Sequence, residues 1–268
     1  MAEHLYALDF DGVLCDSCGE ASIAGLEAAK QRWPEHFKRV DAQREAEILE
    51  RMHTVRPVVE TGDDFLLLAR VLAKVENGTS IASHLDEENI LESWTESIKR
   101  SFMEEIGEAR HKQELEDLLG SVRDAWISRD VHGWLKANRF YPGISDAIKF
   151  SSSKLFIVTT KEARFVTMSL KELAGVDFPE ENIYGLGSGP KVEVLKKLQN
   201  RAEHQGMTLH FVEDRLSTLL NVIDDRVLNN WNLHLASWGY NTPTEREEAS
   251  KKPRIEVLEL ADFCSKLK

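Results

Sequence analysis

The chain has 268 residues and a formal charge of −12, with 34 Lys and Arg against 46 Asp and Glu. That excess argues against a nucleic-acid partner, because basic side chains supply most of the affinity for a phosphate backbone. Hydrophobic residues make up 42% and charged residues 30%, an ordinary globular balance, and the apolar runs are strand-sized, which argues against a membrane span.

The chain opens on an apolar run, Leu5 to Leu14, read as a strand that carries Asp9 and Asp11 and meets Gly12. Residues i and i+2 of a strand share a face, so the two carboxylates are expected side by side. Such a pair repels unless a cation or a shared proton intervenes. An Asp pair at a strand end also caps loops and occurs in receiver-type regulatory modules, so these residues alone leave the chemistry open.

From Ser17 to Asn138 the pattern is helical. Asp41–Val55 places Ala42, Ala46, Leu49 and Met52 along one stripe. Thr61-Gly62-Asp63-Asp64 resembles a capping box for a helix with Phe65, Leu68, Leu72 and Val75 on one face, ending at Asn77-Gly78. Asp86–Phe102 spaces Ile90, Trp94 and Ile98 as a single helix, and Ser121–Asp124 is a candidate cap for another with Trp126 and Trp134. Arg56, in the break before Thr61, is read as a turn residue with a solvated side chain, or alternatively as a contact for a substrate anion.

After the turn Phe140–Ile144 strands and helices alternate, which predicts a parallel α/β sheet. The expected strands are Lys154–Thr159, Asn182–Tyr184, Thr208–Glu213 and Trp231–Trp238, with an edge strand near Arg254–Val257. The expected helices are Glu162–Ala174, Pro190–His204, Arg215–Leu228 and Glu256–Leu267, and Thr244–Arg254 reads as a solvated face or loop. The domains implied are a core of residues 1–17 and 139–268 interrupted by a helical segment, 18–138.

Each of these strand ends carries a polar signal. Phosphoryl transfer to a protein nucleophile needs an attacking carboxylate, a proton donor, a cation, and donors for the equatorial oxygens. Asp9 and Asp11 are candidates for the first two. Thr159, with Thr160 beside it, is a candidate donor to phosphate. Lys191 opens a helix behind Pro190, a residue suited to a first turn, and is a candidate counter-charge. Glu213 and Asp214 close the next strand as candidate metal ligands, with Arg215 following. The glycines Gly185, Gly187 and Gly189 match neither a Walker A loop nor a Gly-x-Gly-x-x-Gly fingerprint, so nucleotide binding is not expected from them.

Taken in order, Asp9-Phe10-Asp11-Gly12-Val13, Ile157-Val158-Thr159, Lys191 and Glu213-Asp214 resemble the four motifs of the haloacid dehalogenase superfamily, and Phe140–Ile144 resembles its Tyr/Phe-Pro-Gly-Val turn. The resemblance implies a Rossmann-like core of five parallel strands in the order 5-4-1-2-3, with an all-α C1-type cap inserted after the first strand. It also implies a phosphatase that hydrolyses a small phosphorylated metabolite through an aspartyl-phosphate on Asp9. Mg2+ would be held by Asp9, the main chain of Asp11, Asp214 and Glu213, the last directly or through water. The presence of Asp11 argues against a dehalogenase. A phosphomutase shares the motifs and is the enzymatic alternative, and a catalytically weak binding or regulatory protein is the alternative from another class. Cys15 and Cys18 form a Cys-x-x-Cys read as two small loop residues, with a redox switch as the sharper alternative. Three cysteines and no visible leader lead to the expectation of a soluble, intracellular, cytoplasmic protein, unless an organellar leader has been trimmed. Neither nucleic acid nor membrane is an expected partner, and the oligomeric state is left open.

Overall fold

The computed structural model describes residues 3–73 and 87–267. Strand β1 (His4–Leu8) is shorter than the run that announces it. At Phe10 the main-chain carbonyl accepts from the amides of both Leu14 and Cys15. Gly12 turns through φ +86°, a region that favours glycine. The ladder stops for these reasons, so Asp9 follows the strand end and Asp11 sits in a turn, and the two do not share a strand face as expected. A two-residue strand, β2 (Cys15–Asp16), completes the loop.

Residues Cys18–Ala137 form one compact unit, and Met1–Ser17 with Asn138–Lys268 form the other. Asn138 thus falls with the sheet rather than with the helical segment expected over 18–138. The helical unit comprises α1 (Cys18–Arg32), α2 (Pro34–Phe37), α3 (Ala42–Val55), α4 (Gly62–Ala73), α5 (Glu87–Ser93), α6 (Glu96–Glu105) and α7 (Lys112–Lys136). Asp41 caps α3 by accepting the Arg44 amide. The buried stripe of α3 is Ile48, Met52 and Val55, while Ala42 and Ala46 stay exposed, because the larger side chains bury more apolar surface. Helix α4 buries Phe65, Leu68 and Leu72 as expected and most of its other residues too; Val75, Asn77 and Gly78 lie outside the described residues. The single helix expected over Asp86–Phe102 is two, broken where Thr95 caps α6 by accepting the Ile98 amide. No helix starts at Ser121. Its hydroxyl donates to the Asp117 carbonyl at 2.9 Å, and α7 runs on to a kink at Asp130.

The sheet unit resumes with β3 (Arg139–Phe140), antiparallel to β2. It continues through α8 (Ile144–Lys149), β4 (Lys154–Val158), α9 (Ala163–Ser169), β5 (Ile183–Tyr184), α10 (Lys191–Gln199), β6 (Thr208–Glu213), α11 (Leu216–Asp224), β7 (Trp231–Ala236), α12 (Pro243–Ser250), β8 (Ile255–Leu258) and α13 (Leu260–Leu267). A π turn, Leu170–Ala174, extends α9 to Gly175 at φ +64°. The stretch expected as a solvated face or loop is the helix α12, buried at Ala249 and otherwise exposed or half-exposed, and opened by a Thr242–Glu245 capping box with Pro243 in its first turn.

The main sheet has six strands in the order β5-β4-β1-β6-β7-β8. Its strands are all parallel. Both the strand count and the full order therefore differ from the expected five strands in the order 5-4-1-2-3, because β8 pairs with β7 and extends the edge. Alternation along β1 sends Tyr6 and Leu8 into one apolar cluster and Leu5 and Ala7 into the other, so both faces of the sheet are covered.

A row of polar side chains crosses one face. His4 lies 3.0 Å from His210, His210 lies 3.0 Å from His234, and His234 lies 3.0 Å from Glu256, which pairs with Lys266. No helix among the described residues is long and apolar enough to cross a membrane.

Candidate active site

The polar cluster forms where β1, β4 and β6 end, the edge at which open parallel sheets place ligands. Asp9 is buried just past β1, and its amide donates to the Val212 carbonyl at 2.9 Å, carrying the β1–β6 pairing one residue further. Lys191, the first residue of α10, reaches into the same space. Its Nζ lies 2.9 Å from Asp9 Oδ1 and 2.7 Å from Glu213 Oε2. The expected trio of Asp9, Glu213 and Asp214 each offers an oxygen within 4.8 Å of the others.

Burial, joined by the charge of Glu213 and opposed by Lys191, pushes the Asp9 carboxyl up to about 7. Burial also raises Glu213, again against Lys191. Lys191 is drawn down by burial, but Asp9 and Glu213 outweigh that and hold it above its usual range. Desolvation therefore dominates at the carboxylates, and the cation between them relieves only part of the repulsion.

Asp11 pairs with a residue that the motif reading passed over. Lys161 Nζ lies 3.1 Å from Asp11 Oδ1, and its side chain is 1% exposed. With all groups ionised, four carboxylates (Asp9, Asp11, Glu213, Asp214) face two ammonium groups (Lys161, Lys191). One divalent cation would balance the excess, and hard carboxylate oxygens are the donors that Mg2+ takes. The residues present therefore fit such an ion. Within the set, both oxygens of Glu213 are engaged: Oε2 holds Lys191 and Oε1 accepts the Arg215 amide at 3.2 Å.

Thr159 is buried at the end of β4. Its amide continues the ladder to the Tyr184 carbonyl, and its Oγ1 accepts the Lys161 amide at 3.2 Å. That bond uses the hydroxyl oxygen as acceptor and does not engage its proton. Thr160 follows it, exposed. Arg56 belongs to the helical unit, where it is 7% exposed and not solvated. Its guanidinium lies 5.3 Å from the Phe65 ring and donates to the Val59 carbonyl at 3.4 Å, contacts that hold a turn together.

Close approaches around the cluster require glycine at Gly12 and Gly185, among other positions. A Cβ on Gly12 would stand 1.9 Å from Asp214 Oδ2, and one on Gly185 would stand 2.7 Å from the Lys161 carbonyl and 2.6 Å from the Ala163 amide nitrogen. The first lets Asp214 close over the Asp9–Asp11 turn. The second lets the loop after β5 clasp the Lys161 loop, where the Leu186 amide donates to the Lys161 carbonyl. Cys15 and Cys18 are both buried and not joined by a disulfide, and burial pushes the Cys15 thiol well up, so it stays protonated and unreactive as it stands.

No protein-family model and no curated protein matches the sequence. Solved structures do match the fold. One from Clostridium acetobutylicum, described as a "predicted phosphatase", is 15% identical, with a TM-score of 0.54 over 99% of this chain and 98% of that one. A "predicted phosphoglycolate phosphatase" from Haemophilus somnus is 14% identical, with a TM-score of 0.55 over 99% of this chain and 98% of that one. A protein from Bacteroides fragilis, assigned as a haloacid dehalogenase-like hydrolase, is 15% identical, with a TM-score of 0.50 over 97% of this chain and 99% of that one. The chain has the fold of the haloacid dehalogenase-like phosphatases.

Proposed function

We propose that the protein is a Mg2+-dependent phosphate monoester hydrolase acting on a small phosphorylated metabolite, with Asp9 as nucleophile. The observation that supports this most is Lys191, an ammonium group between Asp9 at 2.9 Å and Glu213 at 2.7 Å with Asp214 in reach. A nucleophilic carboxylate must meet an anionic ester, and a cation bonded to that carboxylate lowers the repulsion between them.

Asp9, the main-chain carbonyl of Asp11 and Asp214 would hold Mg2+ directly, and Glu213, engaged by Lys191 and the Arg215 amide, would act through water. When bound, the ion supplies the charge that lets two anions approach and that stabilises the transferring phosphoryl group. An Asp9 oxygen attacks phosphorus, the bond to the ester oxygen breaks, and Asp11 gives that oxygen its proton. Water then attacks the aspartyl-phosphate, Asp11 takes up its proton, and phosphate leaves as the Asp9 carboxylate is restored. The Thr159 hydroxyl and the amides near Thr160 donate to the equatorial oxygens. Selection of the alcohol is assigned to the helical unit, as a cap of the C1 type.

A phosphate-release screen over phosphorylated metabolites with Mg2+, using Asp9→Asn as the blank, tests this reading. We expect release from at least one ester and a fall of about a thousandfold in Asp9→Asn. Undiminished release in that variant would overturn it.

A further inference from the structure

Asp214 is held by a loop to which neither the motifs nor the proposed chemistry assigns a task. The chain leaves β7 at Ala236 and returns through Ser237-Trp238-Gly239-Tyr240-Asn241. The Tyr240 amide donates to Asp214 Oδ2 at 2.8 Å. Gly239 lies against the same side chain, where a Cβ would stand 2.3 Å from Asp214 Cβ and 2.6 Å from the Gly12 carbonyl oxygen. The buried Asn241 amide donates from Nδ2 to two main-chain carbonyls, those of Asp214 and Ala236, each at 2.9 Å. Arg246 fixes that amide in turn, its Nη1 donating to Asn241 Oδ1 and to the Asn241 carbonyl at 2.9 Å each.

These contacts have one common effect. The β6–β7 ladder ends at the Glu213–Leu235 pair, so Asp214 is the first residue that the sheet no longer holds. The Asn241 amide replaces the missing rung by tying the ends of both strands. The Tyr240 amide engages one carboxylate oxygen, which fixes the rotation of the group about its own axis. Asp214 is thereby held in main-chain position by one residue and in side-chain orientation by its neighbour.

We propose that Asn241 is a positioning residue for divalent-cation binding, acting through Asp214, with Arg246 as its support. The inference rests on the metal site described above. Mg2+ demands near-ideal octahedral geometry, so its binding is sensitive to small displacements of a ligand. Outer-shell partners of metal ligands commonly contribute about 10- to 100-fold in affinity.

The test is a titration of the full-length protein with Mn2+, counting free ion by electron paramagnetic resonance and displacing it with Mg2+. Asn241→Ala should raise the dissociation constant about tenfold or more. Arg246→Ala leaves the buried amide in place and frees it to rotate, and should raise the constant about threefold. In steady-state assays the Asn241→Ala change should appear in the Mg2+ activation constant more than in kcat, a split that a loss of packing alone would not give. Wild-type affinity in both variants would overturn the proposal while leaving the metal site intact. Absence of Mn2+ binding by the wild-type protein would overturn the metal reading itself, and this inference with it.

Discussion

Asp64 in the helical unit and Asp9 in the sheet unit are both withdrawn from water beside a lysine, yet burial loses at one and wins at the other. Asp64 shares Lys99 with Asp63, at 2.9 Å each, and Lys112 stands 3.9 Å from Asp63. It also accepts the Glu60 and Thr61 amides and the Trp94 indole N–H. Burial pushes Asp64 up, but Lys99 and those amides outweigh it and hold the carboxyl below its usual value. A second buried group, Glu20, is met by Arg123 at 2.7 Å and by the Trp134 N–H at 3.0 Å. In the sheet unit Asp9 and Glu213 share Lys191, and both end above their usual values. Buried charge is therefore common to both units, and at Asp9 and Glu213 its compensation is incomplete.

The largest test of this contrast lies in the helical unit. Lys99→Met should cost about 3–5 kcal/mol, read from urea unfolding, because it removes the cation in contact with both Asp63 and Asp64. Lys191→Met should instead act on chemistry and cut phosphate release about 100- to 1000-fold, the scale for losing a charge-stabilising group. A large stability loss with unchanged turnover in Lys191→Met would erase the distinction. Gly12→Ala, whose Cβ would meet Asp214 at 1.9 Å, should weaken Mn2+ binding about 10- to 100-fold.

The pH dependence of stability should differ in sign between Asp9 and Asp64. In metal-free protein the folded Asp9 carboxyl stands at about 7 against 3.8 in the ordinary state. Folding therefore favours the protonated form, and the stability present below pH 3.8 is lost as pH rises through about 7. Asp64 is held below 3.8, so its contribution is present above that pH and is lost on acidification. Unfolding in EDTA between pH 4 and 8 should show the wild type losing stability relative to Asp9→Asn by about a few kcal/mol. Parallel curves for the two proteins would count against the raised value. The smallest effect concerns the histidine row. Burial pushes His210 and His234 down to about 4, so NMR titration should find both rings neutral well below pH 6.5. Their contribution to stability is present above pH 6.5 and is lost as pH falls from there through about 4.

Much of the sheet unit was legible because its signals are local. An apolar run with a polar residue at its end marks the ends of β4 and β6, and a proline marks the start of α10. The turn at Asp11 was harder, since the apolar run continues to Leu14 although the ladder stops at Leu8. Helix α12 was legible in principle, because Thr242-Pro243-Thr244-Glu245 spells a capping box with proline in the first turn. The helical unit was less readable: α4 is buried nearly all round and has no polar face to set its phase. Lys161 and Asn241 were missed because their partners are distant. Lys161 meets Asp11 across 150 residues of sequence, and no spacing rule joins them.

The two-stranded ribbon of β2 and β3 carries a consequence for how such a chain can change over time. The segment leaves the sheet unit after Ser17 and re-enters at Asn138, just beyond a ribbon that pairs Cys15 with Phe140 and Asp16 with Arg139. Whatever lies between them starts and finishes at one neck. Lengthening such an excursion raises the closure cost by only about 0.6 kcal/mol per doubling. The neck is thus a grafting point: an inserted module whose ends meet at this spacing can be exchanged for another, or for a short turn, without altering a single register in the sheet.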